Sequence, residues 1–158
     1  MKRHNNAKES FLKNIEKDFV SNVNDKFKNN ICFSLEYFDN SQSAGQNFNQ
    51  WTHEQLLKLI DKLKSYCGNS IFHWTKQHIG HGRNNVLEIY GEFPKKSDFH
   101  YPPFVPSCAE WARFRLEDDM RLIGFVLDPK LCSQLAISKN IFYIVFLDNA
   151  HRFYKTSS

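Results

Sequence analysis

The chain has 158 residues, of which 41% are hydrophobic and 15% aromatic, enough for one substantial core in a single domain. Its four scattered cysteines form no CxxC pair, and no apolar leader or apolar run of about 18 residues occurs, so we expect a reduced, cytoplasmic protein outside the membrane. Residues 1–30 carry seven Lys or Arg against four Asp or Glu, and residues 31–158 carry fourteen against thirteen. Any contact of the body with nucleic acid therefore needs a local basic cluster.

The first predicted element is an amphipathic helix within residues 1–30, which we treat as an N-terminal helical extension of a domain over residues 31–158. Its apolar positions recur every four residues, at Phe11, Ile15, Phe19 and Val23. Alternating side chains then predict a strand over residues 31–38, and a polar stretch predicts a loop over residues 39–50.

A capping box predicts where the next helix begins. The Thr52 hydroxyl is placed to accept from the third backbone N–H of the helix, and the Gln55 side chain is placed to reach back. The helix has a charged face and ends near Gly68. Its apolar stripe consists of Leu56, Leu59, Ile60 and Leu63. A shorter helix follows over residues 71–79, before two closely spaced glycines.

The rest of the chain has the pattern of strands. They cover residues 86–93, 111–117, 120–127 and 141–147. A Pro-rich loop precedes the second of them, a loop over residues 128–140 precedes the last, and Asp118-Asp119 lies at a hairpin turn. This order predicts an α+β fold in which two to three helices pack on one face of an antiparallel sheet of about four to five strands.

Basic side chains occur inside this strand-like sequence. Arg113 and Arg115 are two residues apart, so on a strand both leave the same face, which Trp111 begins. Arg121 opens the next strand, and His151 follows the last one. A row of guanidinium groups on one sheet face is suited to holding phosphate, and the sequence therefore points to a function directed at nucleic acid.

Residues 31–155 resemble the RelE/ParE superfamily of small bacterial toxins. The resemblance rests on the order strand, two helices, antiparallel meander, and most specifically on the last third of the chain. The family pattern there is an Arg-x-Arg strand, a turn, an Arg-Leu-Ile strand and an end strand followed by His and Tyr. The residues of this chain that match it are Arg113, Arg115, Arg121, His151 and Tyr154.

The resemblance implies a RelE-like fold and the activity of an mRNA endoribonuclease, the toxin of a toxin–antitoxin type system. In such enzymes the 2′-hydroxyl of the RNA attacks the adjacent phosphorus, and no metal or other cofactor is needed. The implied partners are mRNA or the ribosome, together with a cognate antitoxin protein.

The resemblance also implies roles for the matched residues. Arg113 and Arg115 clamp the non-bridging phosphate oxygens, and Arg121 contacts the charge that develops during the reaction. His151, whose ordinary pKa lies near neutrality, moves protons. Tyr154 orients or stacks a base.

Lys95, Lys96 and Arg152 are further candidates for binding RNA, and the two lysines are also candidates for the remaining acid–base role. The chain departs from the family pattern in its N-terminal helix, in the loop over residues 128–140, and in Asp148-Asn149 ahead of the histidine.

Three other interpretations of these residues stay open. Acidic side chains near the arginines could neutralise them in a salt-bridged sheet face; they are Glu117, Asp118, Asp119 and Asp148. A zinc site could form from scattered ligands, namely His73, His78, His81, His100 and Cys108. Finally, the aromatic and proline residues of positions 93–106 could receive a partner chain, in a non-catalytic RelE-like module that binds protein or nucleic acid.

Overall fold

The computed structural model describes residues 6–155, without the side chains of residues 6, 7 and 27. Within that range the chain forms four α-helices and five strands, which confirms the predicted α+β class. The elements, in chain order, are α1 (Asn6–Asn29), β1 (Cys32–Ser34), a 3-10 turn (Phe48–Gln50), α2 (His53–Tyr66), α3 (Ile71–Lys76), β2 (Leu87–Gly91), β3 (Glu110–Arg115), β4 (Arg121–Val126), α4 (Pro129–Gln134) and β5 (Ile141–Asp148).

The five strands form one sheet in the order β1-β5-β4-β3-β2. β2 to β5 pair antiparallel, as predicted. β1 runs parallel to β5, with Cys32 opposite Ile141 and Phe33 opposite Phe142, so the sheet is mixed rather than wholly antiparallel. A parallel pair needs a crossover, and here the whole of α2, α3 and the meander lies between the two strands.

The two faces of the sheet have separate cores. The face under the helices, which we call the helix-side core, joins α2 and α3 to the sheet; its buried members include Leu59, Tyr66, Ile71, Leu87, Phe114, Leu122, Phe142 and Leu147. The opposite face, which we call the aromatic core, is covered by the loop before β3 and by the segment after β5; its members include Phe99, Val105, Trp111, Ile123, Phe125, Phe146 and Phe153. Along β3 and β4 alternate residues therefore enter different cores, whereas a register shift in β5 places the consecutive residues Val145 and Phe146 in the aromatic core.

Two predicted elements differ from the structure. The first strand ends at Ser34 rather than at residue 38, because the chain turns where the Phe38 N–H donates to the Leu35 carbonyl at 3.0 Å. The predicted loop over residues 128–140 contains α4, which begins where the Asp128 carboxylate accepts the N–H of Lys130 at 2.7 Å. Both are local hydrogen-bonding effects that alternation and polarity do not reveal.

The predicted capping box at the start of α2 is confirmed, with the Gln55 N–H donating to the Thr52 hydroxyl at 3.2 Å. One position of the predicted stripe is wrong: Ile60 is 59% exposed, whereas Leu59 is buried. α3 is shorter than predicted, ending at Lys76. The Asp118-Asp119 turn forms as predicted, with the Met120 N–H donating to the Glu117 carbonyl at 2.8 Å.

The predicted N-terminal helix forms as α1 and is longer than its apolar repeat. Its C-terminal end is tied to the domain, since the Asn140 amide donates to the Lys28 carbonyl at 2.6 Å. Along the helix the large apolar side chains stay exposed, Phe11 by 63% and Phe19 by 69%. Within residues 6–155, no helix has both the length and the apolar character to cross a bilayer.

Gly124 is required by the close approach of β4 to β5. A Cβ atom there would lie 2.0 Å from the Tyr143 carbonyl oxygen and 2.7 Å from the Phe142 ring. We expect Gly124→Ala to lower the free energy of unfolding by about 3 kcal/mol, because the backbone of two paired strands has to move apart. Gly82→Ala is the control, because a Cβ there makes only ordinary contacts, the nearest at 3.4 Å. Urea denaturation of both variants measures the difference, and equal stabilities would contradict it.

Candidate nucleic-acid site on the aromatic face

The pleat of β3 divides its side chains between the two cores. Ala112 and Phe114 belong to the helix-side core, and Trp111 belongs to the aromatic core. Arg113 and Arg115 have the same parity as Trp111, so all three leave the same face, in agreement with the prediction.

The neighbouring strand adds a third guanidinium to this face. Arg121 stands directly opposite Arg115 in the antiparallel register of β3 and β4. It has the parity of Ile123 and Phe125, which belong to the aromatic core. The hairpin therefore brings the three predicted arginines together, and we call them the arginine cluster.

Arg121 is the most buried charged group of the cluster, with 2% of its surface exposed. Its Nη1 donates to two backbone carbonyls of the hairpin, at 2.7 Å to Asp118 and 2.8 Å to Met120. Its Nη2 contacts Nε2 of His151 in a short hydrogen bond, and its buried Nε has no partner within the described residues. The guanidinium of Arg121 is thus held through its two Nη atoms, while its Nε–H lacks a hydrogen-bond acceptor among the described residues.

The turn after β5 holds His151 against Arg121. The buried Asp148 carboxylate accepts the N–H of Ala150 at 3.1 Å and the N–H of Phe153 at 2.9 Å. Between them the backbone of His151 adopts a left-handed φ of 55°. The Phe153 side chain anchors the far end of the turn, since it is buried in the aromatic core.

The contact with Arg121 determines the protonation of His151. A guanidinium only donates hydrogen bonds, so Nε2 of the imidazole must accept, and the ring is neutral with its proton on Nδ1. Burial lowers the pKa of His151 below its usual value, and the charges of Arg121 and Arg113 lower it further.

The three arginines also act on one another. Burial lowers the pKa of Arg121 to about 10, and the positive charges of Arg115 and Arg113 contribute in the same direction. Arg121 therefore remains charged at neutral pH, in a site with an excess of positive charge. Such a site favours an anion.

Arg113 is bound by residues of β2 that the sequence did not single out. Its Nη2 donates to Oε2 of Glu88 at 2.8 Å, and its Nε donates to the Tyr90 hydroxyl in a short hydrogen bond. Glu88 faces Arg113 in the register of β2 and β3. Tyr90 stacks on Tyr154, with ring centroids 4.7 Å apart and planes 2° from parallel.

Arg115 is the most available member of the cluster. Its side chain is half-buried, and no carboxylate of residues 6–155 forms an ion pair with it. Its backbone is well held, because its carbonyl accepts a hydrogen bond from the Tyr66 hydroxyl and its N–H donates to the Val86 carbonyl at 2.9 Å. The strand thus fixes the backbone of Arg115, while its side chain stays partly exposed.

The acids expected to neutralise the cluster mostly have other partners. Glu117 forms ion pairs with Lys58 at 3.4 Å and Lys62 at 4.0 Å, away from the arginines. Asp118 contributes its carbonyl, and Asp148 accepts backbone N–H groups, although Asp119 and Asp148 still favour the charged form of Arg121 through their fields. Among residues 6–155 the arginine cluster therefore forms an ion pair only at Arg113, with Glu88.

The predicted RNA-binding residues outside the cluster flank Tyr154. The Arg152 carbonyl accepts the Asp98 N–H at 3.0 Å, and the Lys96 carbonyl accepts the Lys155 N–H at 3.3 Å. This pairing brings the loop with Lys95 and Lys96 alongside the C-terminal segment with Arg152, and all three are exposed.

The alternative sites find less support. Residues 6–155 contain no group of three or more His, Cys, Asp or Glu placed to hold a metal ion, and His73 instead packs edge-on against Trp74. In the aromatic and proline loop, Phe99 and Val105 are buried in the aromatic core, while Phe104 is 53% exposed. The loop is therefore largely a cover for the sheet.

Sequence reasoning missed Glu88 and Tyr90 as members of the site. The alternation of Leu87, Glu88, Ile89 and Tyr90 shows that the two share a face of β2, but only the pairing of β2 with β3 shows that this face is the one with the arginines. Burial raises the pKa of Tyr90 to about 12, so its hydroxyl is neutral under ordinary conditions.

The lowered pKa of His151 predicts a pH-dependent stability. The unfolded chain takes up a proton on this histidine near its usual pKa of 6.5, and the folded protein does so at lower pH. Between the two values the unfolded state binds more protons, so the free energy of unfolding falls as the pH drops below about 6.5.

The matched variant is His151→Asn, because asparagine tolerates the left-handed backbone at this position. Urea denaturation at pH 7.5 and pH 5.5 should show a larger loss of stability on acidification in the wild type than in the variant. Equal losses would show that His151 titrates alike in the folded and unfolded chains.

No protein-family model matches this chain, and no curated protein or solved structure shows significant similarity to it. The resemblance to the RelE/ParE superfamily therefore stays a prediction.

Proposed function

We propose that this protein is an endoribonuclease of RelE/ParE type, a toxin that cleaves mRNA by attack of the RNA 2′-hydroxyl on the adjacent phosphorus. The proposal includes mRNA or the ribosome as partner and a cognate antitoxin that restrains the activity. The site on the aromatic face of the sheet is where we place the scissile phosphate.

The observation that carries the proposal is the charge balance of the arginine cluster. Three guanidinium groups share one face, and within residues 6–155 one carboxylate, that of Glu88, forms an ion pair with them. Arginines that serve only the fold are usually matched by acids, because an unmatched buried charge is costly. A phosphodiester supplies the missing negative charge, and its oxygens fit the paired N–H groups of a guanidinium.

The donors that remain free suggest how the phosphate is held. Within residues 6–155 the partly exposed Arg115 guanidinium forms no hydrogen bond or ion pair, and Nη1 of Arg113 likewise has none, since Nη2 and Nε bind Glu88 and Tyr90. Arg121 stands opposite Arg115 on the neighbouring strand and contributes charge from a position that the hairpin carbonyls fix. A preorganised cationic site of this kind stabilises the charge that phosphorus oxygens gain in the transition state.

The neighbouring aromatic pair offers a place for a base. Tyr154 is 45% exposed and rests on Tyr90, so one ring face is backed and the other can receive a nucleobase. Lys95, Lys96 and Arg152 are exposed beside it and suit the backbone of the same strand of RNA.

One observation favours the second candidate, a non-catalytic RelE-like module. Two of the three arginines already have protein partners, Arg113 with Glu88 and Arg121 with two carbonyls and His151. If these contacts never open, the cluster holds the sheet together and the protein acts by binding a protein or nucleic acid.

Arg115→Ala separates the two candidates. We expect it to reduce mRNA cleavage in a translating extract at least roughly 100-fold, the effect of removing one charge-stabilising donor, and to change the free energy of unfolding by less than about 0.5 kcal/mol. Arg83→Ala is the matched control, since Arg83 is exposed in the loop before β2. Undiminished cleavage, or a loss of stability above about 1 kcal/mol with no cleavage by the wild type, would favour a structural role.

Tyr154 provides a test of base stacking. We expect Tyr154→Leu to weaken binding of a 2′-O-methyl RNA oligomer roughly 5- to 100-fold, the range for losing one aromatic–base stack. Tyr154→Phe retains the ring and should bind like the wild type. Fluorescence anisotropy measures both affinities, and equal binding by the leucine variant would show that no base stacks there.

A further inference from the structure

Helix α1 carries a row of large apolar side chains that the rest of residues 6–155 leaves exposed. Each of them is between 49% and 69% exposed, and the row, which we call the α1 stripe, consists of Phe11, Leu12, Ile15, Phe19 and Val20. The domain holds the helix at its C-terminal end, where the Lys28 carbonyl accepts from Asn140. Single exposed apolar residues are common, but five on consecutive turns of one helix mark a surface that packs against another molecule.

The area of the α1 stripe is sufficient for a dimer. At about 200 Å² for a fully exposed ring and about 150 Å² for a fully exposed aliphatic side chain, the five side chains present about 500 Å² to solvent. Two such stripes packed together remove about 1,000 Å² from water, which is the lower limit for a specific interface.

The charges of α1 favour a protein as the occupant of the stripe. Residues 6–29 contain five lysines and four acids. A helix that lies on an anionic membrane has a polar face rich in Lys and Arg and a clear excess of positive charge. The near balance of α1 instead suits a partner helix that carries both signs itself.

We propose that the α1 stripe is the interface of a homodimer, in which α1 of a second copy packs antiparallel on it. The two-fold axis passes through the midpoint of the stripe, just after Ile15. Phe11 of each copy is then level with Val20 of the other. Likewise, Leu12 is level with Phe19. A larger side chain meets a smaller one at each of these levels, as interdigitated packing requires. This dimer does not depend on the ribonuclease activity proposed above.

Two lysines on the apolar side of α1 determine the direction of the pair. Lys8 lies four residues before Leu12, and Lys26 lies seven residues after Phe19, so both are on the face of the stripe. In a parallel pair each of these lysines meets its own copy, and like charges repel. In the antiparallel pair Lys8 is level with Val23 of the second copy, and Lys26 lies beyond the described start of the other helix.

Oppositely charged residues flank the stripe on one side. Lys13 and Glu16 are three residues apart and therefore share that side of the helix. An antiparallel pair brings the same flank of each helix together, so Lys13 of one copy meets Glu16 of the other, about 3 Å apart along the helix axis. The two-fold symmetry forms this ion pair twice.

Sedimentation velocity at micromolar concentrations tests the interface. We expect the wild type to be a dimer and Phe19→Lys to raise its dissociation constant at least roughly 50-fold, because two rings leave the interface and two charges enter it. Ile60→Lys is the matched control and should dimerise as the wild type, since Ile60 is equally exposed but lies on α2. Circular dichroism and urea denaturation verify that the domain of each variant is folded.

A mixture of two charge variants tests the antiparallel arrangement. Lys13→Glu places two acids on the flank of the stripe, and Glu16→Lys places two lysines there. Each variant repels its own copy, whereas the mixture pairs acid with lysine. We expect the heterodimer to be roughly 5-fold or more tighter than either homodimer. Each variant has one like-charge pair within its own helix, so altered helix stability cannot produce this difference.

The proposal is overturned by a monomeric wild type, or by a dimer that Phe19→Lys weakens no more than Ile60→Lys does. A monomer that sediments with vesicles of phosphatidylcholine and phosphatidylglycerol would instead assign the stripe to a membrane surface. A mixture no tighter than the homodimers would overturn the antiparallel pairing, because in a parallel pair opposite flanks meet. None of these results alters the cleavage of mRNA, which tests the proposed function separately.

Discussion

The burial of the Arg121 guanidinium is the constraint on which the rest of the site depends. A charge with 2% of its surface exposed must be compensated inside the protein. The compensation comes from the hairpin carbonyls of Asp118 and Met120 and from the ring of His151. These groups belong to the β3–β4 turn and to the turn after β5, so one side chain joins the two segments that form the site.

Alternation along the strands was sufficient to predict much of this arrangement. Arg113 and Arg115 had to share a face once their segment was a strand, and the turn at Asp118-Asp119 brought Arg121 opposite Arg115. The α+β class followed from the order of helical and strand-like periods. Each of these inferences depends on contacts within a hairpin or between neighbouring positions, and the spacing that produces such contacts is visible in the sequence.

The rest depended on contacts between distant segments. Glu88 became a member of the site only through the register of β2 on β3, and the parallel pairing of β1 with β5 joins positions more than a hundred residues apart. The segment over residues 128–140 was predicted to be a loop, but Asp128 and Pro129 start helix α4 within it. For His151 the residue type was predictable from the sequence, while its lowered pKa arises from burial and from Arg121, which only the folded chain brings near.

The position of β5 in the sheet has a consequence for folding during synthesis. β5 is the last of the described strands to be translated, yet it lies between β1 and β4. Until it emerges, β1 has no neighbour and β4 presents an open edge, so a partly made chain has the arginines but neither the complete sheet nor the turn with His151. The nascent chain is therefore exposed to strand pairing with other chains during this interval, and it completes its site only in the final stage of folding.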